Sequence, residues 1–142
     1  MRFKAFMEKS SLMALHQRYQ LIFQPLQKDL RSLGLNLQDS LVLLATFFEN
    51  SKSVFPSDLQ ATLLIPKDQI SQSLGRLEEK NLIRRQLSVH DKRRRHIEIT
   101  SLGKKISSQL VSRFDKHEDQ LEALSVESLN ISTEVLLQNR NK

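Results

Sequence analysis

The spacing of apolar residues leaves the helical period in one segment of this chain, and that change limits the folds open to it most. From Leu12 to Leu77 the apolar positions recur in steps of three and four, the period of an amphipathic helix. Leu12, Leu15, Tyr19, Ile22, Leu26, Leu30 and Leu33 form one such stripe, with Gln17, Arg18, Gln20, Gln24, Lys28 and Arg31 off it. Pro25 falls inside the stripe and is expected to kink this helix or split it in two; Gly34 ends it. Asn36 is suited to N-cap a second helix, with Asp39 in its first turn near the positive end of the dipole. Leu37, Leu41, Leu44 and Phe48 continue the period, and the run Leu41–Ala45 makes that helix apolar nearly all round and hence central. Glu49–Val54 reads as a polar loop, Pro56 as the first residue of a short helix to about Leu63, and Pro66 as the start of another. In this last helix Ile70, Leu74 and Leu77 are the buried side, and Asn81, which tolerates a left-handed backbone, ends it.

Beyond Asn81 the period falls to two. Ile83–Leu87 and His96–Thr100 are short alternating stretches, the second with Ile97 and Ile99 inward and Glu98 outward. Between them lie eight polar, strongly basic residues, so the segment is a β-hairpin with a charged tip. Thr100 is placed to cap a long helix carrying Leu102, Ile106, Leu110, Phe114, Leu121 and Leu124, and a weaker helical segment runs from Ser125 to about Gln138. Three glycines and three prolines in 142 residues argue against a turn-rich sandwich or barrel. The fold expected is mainly α with a small β-hairpin.

Composition removes whole classes of chemistry. With no cysteine, disulfides, zinc knuckles, iron–sulfur clusters and thiol-based redox sensing are excluded. The longest apolar run, Leu41–Phe48, is too short to span a bilayer, and no signal peptide is evident, so the expected location is the cytoplasm. The four histidines fall in no paired ligand spacing, so no metal site is expected. Ser101-Leu102-Gly103-Lys104 matches the S-x-x-K of serine acylases without its partner motifs. With no nucleotide loop or nucleophile elbow either, no enzyme and no cofactor are expected.

What composition supplies instead is charge, and the charge is local. The chain carries a net +6. Lys67–His96 holds nine bases against four acids, a pattern suited to a polyanion. A short helix, a tight connection around Leu64–Pro66, an amphipathic helix and a basic hairpin follow one another in the order of a helix-turn-helix with a wing. The helix after Pro66 has Lys67, Gln69, Ser71, Gln72 and Arg76 off its buried side, residue types that pair with base edges and phosphates. At the hairpin tip, His90-Asp91-Lys92-Arg93-Arg94-Arg95-His96 sets four consecutive bases between two histidines. The negative potential of a narrow minor groove attracts inserted Arg. Gly75, inside the reading helix, points to close packing or to close approach of DNA.

These segments resemble the MarR (multiple antibiotic resistance regulator) family of bacterial winged-helix transcription factors, most densely from Leu59 to Gly103. The block Asp91-Lys92-Arg93-Arg94-Arg95-His96-Ile97-Glu98-Ile99-Thr100-Ser101-Leu102-Gly103 is similar to the family's D-x-R wing followed by its LT-x-x-G junction, with Ile99 for the usual Leu. Upstream, Arg76-Leu77-Glu78-Glu79-Lys80-Asn81-Leu82-Ile83-Arg84-Arg85 resembles R-L-E-x-K-G-L-I-x-R, with Asn81 in place of Gly. Pro66 stands where a small N-cap residue is usual, and Gln60 where the family generally has Ala.

The resemblance implies that Lys67, Gln69, Ser71, Gln72 and Arg76 face the major groove and that Arg93 enters the minor groove. It also implies that Asp91 holds the wing in shape and that Arg94 neighbours phosphate. It divides the chain into dimerisation helices at 1–34 and 104–142 around a winged helix-turn-helix at 35–103. The partners it implies are duplex DNA, a second copy of the chain and a small aromatic effector, for which Tyr19, Phe23, Phe47 and Phe48 are candidate lining residues against the plainer reading of core. The function expected is a homodimeric regulator, by the family's habit a repressor, reading a pseudo-palindromic operator. The competing expectation is a winged-helix interaction module whose basic face binds an acidic protein or RNA.

Overall fold

A computed structural model describes residues 2–49, 53–87 and 94–123. Six helices and one hairpin follow in the order α1 (Arg2–Lys9), α2 (Ser11–Ser32), α3 (Leu37–Phe48), α4 (Pro56–Leu63), α5 (Lys67–Glu79), β1 (Ile83–Leu87), β2 (Arg95–Ile99) and α6 (Ser101–Ala123). This is the expected helical chain with a β-hairpin wing. The expected helix after Ser125 and the hairpin tip, with Asp91, Lys92 and Arg93, lie outside the described residues. The remainder falls into two compact units, residues 2–28 with 114–123, and Asp29–Arg113.

The helix boundaries follow local chemistry. α2 runs through Pro25 without splitting, and the interruption comes instead at Ser10. Pro25 is exposed, so the carbonyl one turn back, which loses its N–H partner, can be served by water. Ser10 accepts the Met13 amide on its hydroxyl at 3.2 Å and so caps the longer helix. Gly34, at φ +77°, turns the chain after α2, while the Leu35 amide reaches back to the Leu30 carbonyl. Asn36 caps α3 by accepting the Asp39 amide at 2.7 Å. Asn81 is left-handed, at φ +59°, and the Leu82 amide closes on the Leu77 carbonyl as the chain leaves α5. Leu64 is the other left-handed residue, in the turn between α4 and α5.

The core of the Asp29–Arg113 unit is aliphatic. Val42 and Leu43 of α3, Leu59 of α4, Ile70, Leu74 and Leu77 of α5, Ile83 and Ile97 of the wing, and Leu110 of α6 are all buried. The polar residues buried in α3 are satisfied within it or across it. Thr46 donates to the Val42 carbonyl and Ser40 to the Asn36 carbonyl, while Asp39 meets a cation from α5.

β1 and β2 pair antiparallel with Ile83 opposite Ile99, Arg85 opposite Ile97 and Leu87 opposite Arg95. The return strand begins one residue earlier than the alternation of apolar residues suggests. On its other side the Ile97 amide donates to the Val54 carbonyl at 2.7 Å, so the end of the α3–α4 connection makes a single-residue bridge to β2.

The strand-to-helix junction explains its sequence pattern. The Thr100 amide donates to the Leu82 carbonyl, and its hydroxyl donates to the Asn81 carbonyl at 2.6 Å while accepting the Gly103 amide at 2.9 Å. A Cβ on Gly103 would sit 2.1 Å from the Leu82 carbonyl oxygen and 2.7 Å from Ile99. Only glycine lets α6 lie this close to the Leu82 carbonyl.

Candidate nucleic-acid interface

α4, the turn through Leu64 and α5 form the helix-turn-helix. Pro66 ends the turn with φ −58° and ψ 151°, so α5 starts at Lys67 with no side-chain cap. The helix then divides into two faces. Ile70, Ser73, Leu74 and Leu77 are buried, whereas Lys67, Gln69, Ser71 and Gln72 are exposed together. Gly75 lies one turn on from Ser71 and Gln72, on the same side. A Cβ there would meet nothing within 4 Å, so close packing inside the chain does not account for this glycine.

Arg76 is placed differently from the other four. Its Nε and one terminal nitrogen each donate to a different oxygen of Asp39 at 2.8 Å, and the same nitrogen lies 3.3 Å from Ser73 Oγ. Asp39 is 1% exposed and the Arg76 side chain 39%. The hydrogen bonds to the carboxylate hold the guanidinium above its ordinary pKa, against a smaller opposing effect of burial. Gln38 reinforces the contact by donating to Ser73 Oγ at 2.7 Å and to the Gln69 carbonyl at 3.1 Å. The first turn of α3 thus grips α5 along one flank. Asp39, 37 residues away in sequence, is what the helical spacing could not supply as the partner of Arg76.

The base of the wing is basic on its outer face. Arg84, Arg85, Arg94 and Arg95 are exposed, with Arg85 paired to Glu78 at 2.6 Å. Arg94 is turned onto a ring, its guanidinium carbon 3.8 Å from the centroid of Phe55. His96 meets Glu98 at 2.8 Å. Of the site residues expected from the sequence, Lys67, Gln69, Ser71, Gln72 and Arg76 thus share one helix and Arg94 stands at the wing base. Asp91 and Arg93 are among the residues not described. The aromatics considered for an effector cleft pair locally, Tyr19 with Phe23 at 4.4 Å and Phe47 with Phe48 at 5.4 Å between centroids.

Residues 33–94 match the model of the MarR family. Over this segment the chain is similar to that family. The same architecture extends over most of the chain in solved structures of MarR-family regulators. A Staphylococcus aureus MepR–DNA complex superposes with a TM-score of 0.78 at 21% identity, covering 92% of this chain and 96% of that one. SlyA, a transcriptional regulator, gives 0.69 at 18% identity over 89% and 92% of the two chains. A mutant MarR from E. coli gives 0.67 at 21% identity over 91% and 94%. At these identities the likeness establishes the MarR fold. No protein of curated function matches the sequence. Among the described residues no helix is long and apolar enough to cross a membrane.

Proposed function

We propose that this chain is a homodimeric transcription regulator, acting as a repressor in the cytoplasm, that reads a pseudo-palindromic operator in duplex DNA. The observation that carries the reading is the division of α5. Lys67, Gln69, Ser71 and Gln72 are exposed along one side of a helix whose other side is locked into the core by Ile70, Leu74 and Leu77. A rigid helix presenting donors and acceptors of this kind matches the major groove, where each base pair shows a distinct pattern. The basic wing supports it, with Arg93 assigned to the minor groove, Asp91 to holding the wing in shape and Arg94 to a neighbouring phosphate. Dimerisation is assigned to the terminal helices, residues 1–34 and 104–142. It is supported by the apolar side chains exposed on α1 and α2, including Phe6, Leu12, Leu15 and Tyr19, all at least 42% exposed. A symmetric pair then sets two reading helices about one turn of duplex apart.

The test is the salt dependence of duplex binding. Each phosphate contact neutralised contributes a slope of about −0.9 in log K against log salt. Two basic faces are expected to give a slope of about −4 or steeper, with palindromic duplex preferred over scrambled duplex at ~150 mM salt. A flat response, or equal affinity for the two duplexes, overturns the reading.

A further inference from the structure

Beside the wing, within the Asp29–Arg113 unit, lies an open groove of about 720 Å³ that shares only Arg94 with the DNA-binding reading. It is bounded by the C-terminal end of α3, by Ser53–Phe55 and by the first turns of α4, with Arg94 at one side. From its chemistry we infer that this groove is a binding site for a small organic cation of the aromatic or quaternary ammonium class, and that Arg94 is its built-in competitor.

Three observations lead to that class of ligand. The first is the inventory of the wall. Among the described residues, two aromatic rings, Phe48 and Phe55, and two carboxylates, Glu49 and Asp58, line the groove, and Arg94 is the one cation. Phe48 is 68% exposed and meets Phe47 edge-on, so much of its ring is open to a ligand. Aromatic faces together with carboxylates are the means by which proteins hold quaternary ammonium groups.

The second observation concerns the backbone. α3 ends here, with Glu49 as its C-cap and Ala45 in the wall. The last turn of a helix carries the negative end of its dipole, which favours a cation and opposes an anion. Asp58, by contrast, is fixed by accepting the Phe55 amide on Oδ2 at 2.9 Å, so one carboxylate is held in position beside the ring.

The third observation is that the ring already holds a cation of the chain itself. The Arg94 guanidinium lies 3.8 Å over the Phe55 centroid. Phe55 therefore presents a face of the right geometry to a planar or quaternary cation, and a ligand that takes this face displaces Arg94. The opposite polarity is the obvious rival, because one arginine in an aromatic groove is also how a carboxylate would be held. The two are separated by the sign of the effect of Arg94.

The test is a nuclear magnetic resonance titration of the full chain, without DNA, with benzyltrimethylammonium and with benzenesulfonate. Because no DNA is present, failure here leaves the operator-binding reading untouched, and failure of that reading leaves this site untouched. Benzyltrimethylammonium is expected to bind, with shifts centred on Phe48, Phe55 and Asp58, and to move the Arg94 Nε–H resonance as the ring current of Phe55 is lost. Glu49→Gln, an exposed change that leaves the fold intact, weakens the cation at least threefold. Arg94→Gln tightens it about threefold, since the competitor is gone. Benzenesulfonate shows no saturable binding. The inference is overturned if the cation does not bind, if Arg94→Gln leaves its affinity unchanged or weaker, or if benzenesulfonate binds and Arg94→Gln abolishes that binding.

Discussion

Arg76→Ala separates a residue that reads from a residue that holds. Removal of the guanidinium leaves the Asp39 carboxylate, 1% exposed, without its cation and without two hydrogen bonds of 2.8 Å. For a fully buried pair the loss of one partner costs about 3–5 kcal/mol. Here the Arg76 side chain is 39% exposed, so water enters where the guanidinium was and part of that cost is recovered. The expected destabilisation is about 1.5–3 kcal/mol, a fall in melting temperature of about 4–10 °C for a domain of this size. Arg76→Lys keeps the charge but not the fork, and is expected to fall between the two. Asp39→Leu combined with Arg76→Met removes both charges and is expected to recover much of the loss. Thermal and urea melts at fixed protomer concentration measure these differences, since dimerisation makes stability depend on concentration. Duplex affinity in Arg76→Ala is expected to drop alike across operator variants, because the whole reading helix loosens from α3. A melting temperature within 1 °C of the wild type, or an altered preference between operators with stability unchanged, refutes this reasoning.

Gly75→Ala is expected to raise stability by up to ~1 kcal/mol, because alanine favours helix and its Cβ meets nothing within 4 Å, yet to weaken duplex binding at least fivefold. Melting and fluorescence anisotropy on one preparation check both, and a stabilised variant of unchanged affinity removes Gly75 from the DNA-contact face. Gly103→Ala is expected to go the other way, by about 2–4 kcal/mol, since a Cβ placed 2.1 Å from the Leu82 carbonyl oxygen forces α6 off the Thr100 hydrogen bonds. A urea melt of that variant superimposable on the wild type contradicts the packing described.

The features legible in the sequence are those fixed by neighbours in the chain. Asn36 caps α3, α4 spans Pro56–Leu63 as its proline and apolar spacing indicate, Asn81 is left-handed, and Thr100 caps α6. Each depends on atoms within a few residues, where local preferences act unopposed. Less was legible where partners come from far away or where two local signals compete. Pro25 was expected to kink or split its helix; the helix is not split there, and the interruption falls at Ser10, whose hydroxyl can serve the next turn. The Asp39–Arg76 pair, the Val54–Ile97 bridge and the Arg94–Phe55 contact each join separate segments, and no periodicity encodes them. The candidate site was accordingly legible as a list of residue types on one helix. Which of them grip the scaffold became visible only in three dimensions.

The Val54 bridge at the wing base bears on how the protein behaves at high concentration. Val54 covers one side of β2 and β1 covers the other, so β1 is left as the outer strand. An outer strand with unpaired backbone groups is a template on which other chains can add. In β1 that strand reads Ile83-Arg84-Arg85-Gln86-Leu87, and everything after Ile83 is exposed. Two adjacent arginines at the centre of five residues make stacking against a second copy repulsive, and the same charges that suit the wing to a polyanion keep its open edge from seeding aggregates.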